Sequence, residues 1–467
     1  MPRIFRVSRA ACARRTALSL LLTACVGHVH AADDTGARSW LAGDHHVHSE
    51  WSVKWDDSTS PPTPIRGGDS PYSRTRNAEE ARRHGLTWMV HTDHGGPGHS
   101  DVTRDSAWPA LQQARRDVPE VVQFHGMEFD VPAAEHASLI IAPGAQEADT
   151  LVDIERRFNR SEVSDGSRES PEAMLAALRH MQGLQPRPLM FVNHPSRTAT
   201  GVGAWGRVEP AELRAWQDTA PGVLVGMEGA PGHQADRRHR GLYRNDAAKT
   251  FGGFDQMTAQ VGGIWDSMLA EGRRFWITAT SDSHRNADIG GADYWPGEYS
   301  KTYVHARHEA EDIVDGLRQG RVFAVTGDLI DTLDLQLSAE GAATATMGGT
   351  LIMATDAKLT VRVSVTVPAE KNFNGDRNAI DHIDVIAGQV GADGQPEMTV
   401  QTVRPAQWTQ DGDRITFEIE LPTPRAQGFV RVRGTSTTEI EPTMDAIGED
   451  PWQDLWFYSN PVFVEVR

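Results

Sequence analysis

Between Leu41 and about Thr280 short apolar runs alternate with helix-length amphipathic stretches, and this alternation constrains the fold more than any other property of the chain. The runs predicted as strands are Asp44–His48, Thr87–His91, Val121–Met127, Ala137–Ala142, Leu189–Asn193, Val223–Met227 and Phe275–Thr280. Helices with readable ends lie between them. Asn77 with Glu80 forms a capping-box pattern and Gly85 stops that helix. Ser170-Pro171 starts another at the N-cap and first helical positions, Gly183 ends it, and a further helix ends at Gly272. Parallel strands need such crossovers. The pattern predicts parallel βα units closed, or nearly closed, into a barrel, with an open doubly wound sheet as the alternative.

Near Gly327 the character changes. A helical stretch, Glu309–Gln319, leads into Arg321–Gly327, and beyond it Leu359–Val367, Ile380–Ile386, Ile415–Leu421, Phe429–Val432 and Val462–Val466 show period-two patterning between Gly, Pro and Asp. A small antiparallel β-sandwich is expected there. The division predicted is a leader at 1–31, an α/β unit at 38–327 and a sandwich at 328–467.

The leader reading rests on Arg3, Arg6, Arg9, Arg14 and Arg15 preceding an apolar run, Thr16 to Val26, too short to span a bilayer. Leu22-Thr23-Ala24-Cys25 resembles a lipobox, which would leave a lipid-anchored Cys25, and Val29-His30-Ala31 resembles an ordinary cleavage site. The Arg14-Arg15 pair fits twin-arginine export. An exported protein, periplasmic or secreted, is expected. The two cysteines, Cys12 and Cys25, both lie in the leader, so disulfides and thiolate ligands are not expected in the remainder. The formal net charge of -18, without a basic patch, argues against nucleic acid or anionic membrane as partner and favours a small-molecule substrate.

Metal-ligand residue types recur at or beside the predicted strands. His46 and His48 are two apart, so their rings share one face, where a single ion takes both; His45 is expected to face the helices or solvent. Asp93 and His94 emerge at the carboxyl end of the next strand, where barrel active sites are built. Glu128 ends Gly126-Met127-Glu128, and its carboxylate could bridge two cations roughly 3.5–4 Å apart. His136 precedes a strand, His194-Pro195 follows another, and Ser281-Asp282-Ser283-His284 follows the last. Singly, Asp93 or Asp282 reads equally as a helix cap and His136 as a core histidine. Together they point to a di- or trinuclear centre of divalent ions. Rim cations able to meet a substrate oxygen are Lys54, Arg197 and Arg285; Glu228 is placed to support a ligand; His91, His99, His125 and His233 are not expected to bind metal.

The ordered motifs His46-Val47-His48-Ser49, Thr92-Asp93-His94, Gly126-Met127-Glu128, His136, Asn193-His194-Pro195 and Ser281-Asp282-Ser283-His284 resemble those of the polymerase-and-histidinol-phosphatase (PHP) metallohydrolases, from Leu41 to Gly327. That resemblance implies a distorted (β/α)7 barrel with two or three zinc, manganese or iron ions. One ion would take His46, His48, Glu128 and Asp282. A second would share Glu128 and add His136 and His194. A third would take His94 and His284 with a ligand soon after the first histidine pair. The family has His or Asp five or six residues beyond that pair; this chain has Val53 and Lys54 there, with Asp56 and Asp57 as the nearest alternatives. The segment Ser60 to Pro71, rich in Pro and Gly, reads as an inserted loop over the site. Ile313–Gly327, followed by strands and Ser459-Asn460-Pro461, resembles the branch that includes carbaryl hydrolase.

Water activated by the ions and held by Glu128 would attack a phosphoryl or carbonyl centre, with Asp93 or Asp282 orienting it or accepting its proton and Arg197 meeting the substrate. A phosphoesterase acting on an anionic ester is expected, a carbamate, ester or amide hydrolase is the alternative, and a ligand-binding module using Trp408, Trp452 and Trp456 is third.

Overall fold

The computed structural model describes residues 36–232 and 243–467; the predicted leader, with Cys12 and Cys25, and His233 lie outside the described residues. Among the described residues no helix is long and apolar enough to cross a membrane.

The α/β pattern is expressed as one large sheet. Its strands nearest the site are β1 (Ser39–Val47), β2 (Trp88–His94), β3 (Val122–Asp130), β4 (His136–Ile141), β5 (Leu189–Val192), β6 (Leu224–Ala230) and β7 (Trp276–Ala279), hydrogen-bonded in that order. β1, β2 and β3 run parallel, as do β5, β6 and β7. β4 departs from the expected all-parallel order and is antiparallel to both neighbours. The physical reason is the short connection Val131–Glu135, which permits a hairpin but no crossover helix.

A regular seven-stranded barrel is not what the ladders describe. Beyond β7, Ser283 meets Val47 of β1 through a single bridge, with the His48 amide donating to the Ser283 carbonyl at 3.0 Å. The sheet instead continues from β1 into antiparallel β8 (Ser300–Ala306) and β9 (Val322–Thr326). Thr302 on β8 ties β7 to this extension, its hydroxyl accepting from the Ala279 amide at 2.9 Å and donating to the Ala279 carbonyl at 2.7 Å. From β9 the same sheet passes to the strands Trp456–Ser459, Gln427–Thr435, His382–Val390 and Pro396–Val403. The ladder therefore crosses the predicted boundary at Gly327.

The strands beyond Gly327 follow the period-two pattern. Thr332–Ser338, Leu359–Thr366 and Arg414–Leu421 are the centre of a separate five-stranded sheet. Its inward residues Leu335, Val363 and Phe417 share one apolar cluster with Val385, Val432 and Phe457 of the large sheet. Trp456 is fully buried, and Trp408 and Trp452 pack against the same cluster.

Local expectations hold where the signal is local. The helix Pro171–Gly183 has Ser170 at its N-cap, its hydroxyl accepting from the Ala173 amide. The helix Arg74–Arg83 starts earlier than Asn77 predicts: Ser73 caps it, and Asn77 is interior, donating its amide to the His48 carbonyl at 2.8 Å. His45 also departs from expectation. It is fully buried, its Nε2 2.8 Å from Thr278 Oγ1 and its ring stacked on Phe191. The register of β1 against β2 shifts between Asp44 and Val47, and such a bulge breaks the strict alternation of faces, so His45 and His46 both turn inward.

Candidate metal centre

The ends of β1, β2, β3 and β7, the start of β4 and the turn after β5 converge, and two sharp turns aim the ligands. His194 (φ 28°) and Asp282 (φ 47°) adopt the left-handed region, uncommon for residues with a Cβ, so the chain bends at once after each strand.

Three groups have donor atoms within 4.8 Å of one another: His46, His48, Glu128 and Asp282; His94, Glu128 and His136; and His48, Asp69, His94 and His284. In the first, His46 Nε2 and His48 Nε2 each lie 3.0 Å from Asp282 Oδ1, and His46 Nε2 is 3.2 Å from Glu128 Oε1. Glu128 is the hub. Its Oε1 also meets His136 Nδ1 and His194 Nε2, both at 2.9 Å, and its Oε2 meets His94 Nδ1 at 2.9 Å. In the third group His284 Nε2 is 3.1 Å and His94 Nε2 3.7 Å from Asp69 Oδ2.

Asp69, not Asp56 or Asp57, thus stands where a ligand after the first histidine pair was expected. Asp56 is occupied in its own turn, accepting from the Ser58 amide and hydroxyl. The loop expected at Ser60 to Pro71 contributes Thr63–Ile65 to a hairpin with the preceding Lys54–Asp56 and then returns to the site. Ser70 fastens it by donating to the His48 and His284 carbonyls, and Arg285 fastens it by donating to the Asp69 carbonyl at 2.9 Å. Gly68 must be glycine: a Cβ there would lie 2.8 Å from Lys54 Cβ and 2.9 Å from the Ile65 carbonyl oxygen. Arg285 is thereby a loop fastener, and Lys54 lies exposed on the hairpin.

The electrostatics suit cations. Burial opposes charge on Glu128, yet the histidines around it hold its carboxyl well below the ordinary range. Burial, then the His284 and His94 imidazoles, push His48 down to about 3, which leaves its ring neutral and able to offer a lone pair. Burial, then the Arg197 charge, bring His194 down to about 4. Conversely, His46 is raised well above its usual value, burial being outweighed by Asp282, Glu228 and Glu128. Fit to metal is shown by donor chemistry: His48 Nε2 is buried without a hydrogen bond of acceptable geometry although Asp282 Oδ1 is 3.0 Å away, the disposition of two donors that share an ion.

No protein-family sequence profile matches the chain, and no curated protein matches it. Solved structures similar to it include an amidohydrolase from Chromobacterium violaceum with bound sulfate and no metal, 13% identical, covering 54% of this chain and 90% of that one at a TM-score of 0.27. Another is Endonuclease Q in complex with a 27-mer duplex bearing an abasic lesion, 12% identical, covering 61% of this chain and 56% of that one at a TM-score of 0.31. Overlaps this loose assign neither fold nor activity to this chain.

Outer contacts fix the rings. Glu228 Oε1 lies 2.6 Å from His46 Nδ1 and Ser52 Oγ 2.8 Å from His48 Nδ1; the Asp282 carbonyl lies 2.8 Å from His284 Nδ1. Each directs the other nitrogen towards the ligand cluster. Asp93 does not face that cluster: it accepts from the Ser49 amide and hydroxyl and from Arg74 Nη2 at 2.7 Å, holding the ends of β1 and β2 in register. Arg197 reaches the rim, with Nη2 2.6 Å from Glu135 Oε2 and 3.3 Å from His136 Nδ1. Among the non-ligand histidines, His91 contacts Gln123, His99 lies between Glu155 and the Trp51 carbonyl, and His125 packs on Trp108. Asp69, Arg74, Ser52 and Glu135 carried no readable signal in the sequence, apart from the Gly-rich loop around Asp69.

Proposed function

We propose that this protein is an exported metal-dependent hydrolase of the PHP type, holding two or three divalent ions (zinc, manganese or iron) and cleaving a small anionic phosphoester. The observation that carries the reading is that Glu128 belongs to two adjoining ligand groups, its two oxygens facing different histidines, which suits closely spaced ions. Ions bound there supply a water of near-neutral pKa and positive charge facing the substrate oxygens. The chain's own residues do the rest. Glu128 links neighbouring sites, and Asp282 is the carboxylate placed to orient the attacking water. Arg197, steadied by Glu135, offers its guanidinium to an anionic oxygen pair. Asp93, engaged by Ser49 and Arg74, acts as a positioning residue instead of a proton acceptor.

The second reading is a carbamate, ester or amide hydrolase, favoured by the resemblance of Ile313–Gly327 and the following strands to the carbaryl-hydrolase branch. A panel of p-nitrophenyl phosphate, its bis-ester, aryl carbamates and an abasic-site duplex, run with protein whose metals have been counted, separates the readings. Turnover of carbamates alone replaces the phosphoester reading, and turnover of the duplex alone replaces the small-molecule one.

Two further outcomes are expected. Asp69→Ala should bind one ion fewer per chain by elemental analysis while His46, His48, Glu128 and Asp282 keep theirs. Glu228→Gln should weaken metal binding by roughly 10–100-fold, because the His46 ring loses its carboxylate partner; competition with a chromophoric chelator reads this directly.

A further inference from the structure

β3 carries two carboxylates, Glu128 and Asp130, two residues apart and so on one face of the strand. Across the antiparallel ladder Asp130 is the register partner of His136. The two carboxylates therefore grip opposite nitrogens of one imidazole: Glu128 Oε1 lies 2.9 Å from Nδ1, and Asp130 Oδ1 lies 3.1 Å from Nε2. We propose that Asp130 is a positioning residue for the ion that His94, Glu128 and His136 would hold: it accepts a hydrogen bond from Nε2 of His136 and so keeps Nδ1 turned towards Glu128 and the ion.

A carboxylate only accepts, so without an ion Glu128 and Asp130 each face an N–H of the ring; an ion taken by Glu128 and Nδ1 would stand in place of the Nδ1 proton, and the proton on Nε2 would stay with Asp130. Asp130 is itself held from three directions by the segment following the helix Glu147–Phe158. Its amide donates to Asn159 Oδ1 at 3.0 Å, the Ser161 hydroxyl donates to its Oδ2, and Arg160 Nη2 lies 3.7 Å from its Oδ1. Glu228 stands in the same relation to His46, with the roles of the two nitrogens exchanged. Asp130 belongs to none of the three ligand groups, so its part is played through His136.

The inference rests on the metal-centre reading above, and the test distinguishes the two. Zinc binding is measured on the wild-type full chain and on Asp130→Asn, Asp130→Glu and Ser161→Ala by chelator competition and elemental analysis, beside thermal unfolding of the metal-free forms. Asp130→Asn, whose amide can present a donor to Nε2 and so move the proton to Nδ1, should lose roughly 10–100-fold in affinity for one ion and keep the others. Asp130→Glu should recover part of that loss, and Ser161→Ala, which leaves the carboxylate in place, should change affinity by less than about threefold. Asp130→Asn binding every ion like the wild type overturns the inference; so does loss of all ions together with a collapsed melting temperature, which makes Asp130 a structural residue. A wild type that binds no zinc, manganese or iron overturns the metal-centre reading itself.

Discussion

Glu128→Gln should lower kcat by about 1,000- to 10,000-fold, the several kcal/mol that charge stabilisation at a metal centre supplies. Four histidines, His46, His94, His136 and His194, lie within 3.2 Å of its two oxygens, so one substitution disturbs both ligand groups that contain Glu128. The amide keeps the shape and removes the charge. Metal content should fall together with kcat, while the metal-free variant keeps the near-UV circular dichroism of the parent, because an uncharged side chain is cheaper to bury in this dry position. Steady-state kinetics with elemental analysis checks both halves. A Glu128→Gln enzyme that retains parental turnover and full metal removes Glu128 from the shared position.

Asp266→Ala should destabilise the protein by about 3–5 kcal/mol, the usual cost of leaving one partner of a buried ion pair alone. Asp266, on the helix Ile264–Ala270 that packs against the strands His382–Val390 and Gln427–Thr435, receives two parallel hydrogen bonds from Arg431, 2.7 Å and 2.8 Å long, and both side chains are fully buried. Arg431 sits on the strand Gln427–Thr435, far along the chain, with its guanidinium over the Trp265 ring. The same carboxylate accepts from the Gly262 amide. Removing it strands a charged guanidinium in an apolar setting, and denaturant unfolding of the metal-free protein should report the loss as a lower midpoint with an unchanged slope. Replacing both partners together, Asp266→Leu with Arg431→Met, should recover most of it, since a well-packed apolar pair can stand in for a buried ion pair.

The two predictions differ in how far their residues could be read beforehand. Glu128 announces itself: it ends an apolar run, and a strand's two-residue period fixes which of its side chains look to one face. His46 and His48 are legible for the same reason, and His194 and Asp282 because they follow strand ends directly. These are local properties, set by backbone geometry within a few residues. Even so, local reading fails where a bulge interrupts the alternation, as at His45, or where Ser73 competes with Asn77 for the cap.

Asp266 and Arg431 give no such sign, because their partnership joins chain segments that meet only after folding. Asp69 belongs with them. Its loop is visible as a Gly- and Pro-rich stretch, but the return of that loop to His94 and His284 depends on Ser70 and Arg285 reaching carbonyls across the site. The carboxylates behind the ligand histidines, Glu228 and Asp130, are likewise a matter of which nitrogen faces which oxygen. The residue types able to bind metal, and their placement at strand ends, were determined by the sequence through local periodicity. The completion of the ligand set, the antiparallel turn of β4 and the passage of one sheet across Gly327 were decided by tertiary structure, because each depends on loop length and on contacts between distant segments that no local pattern encodes.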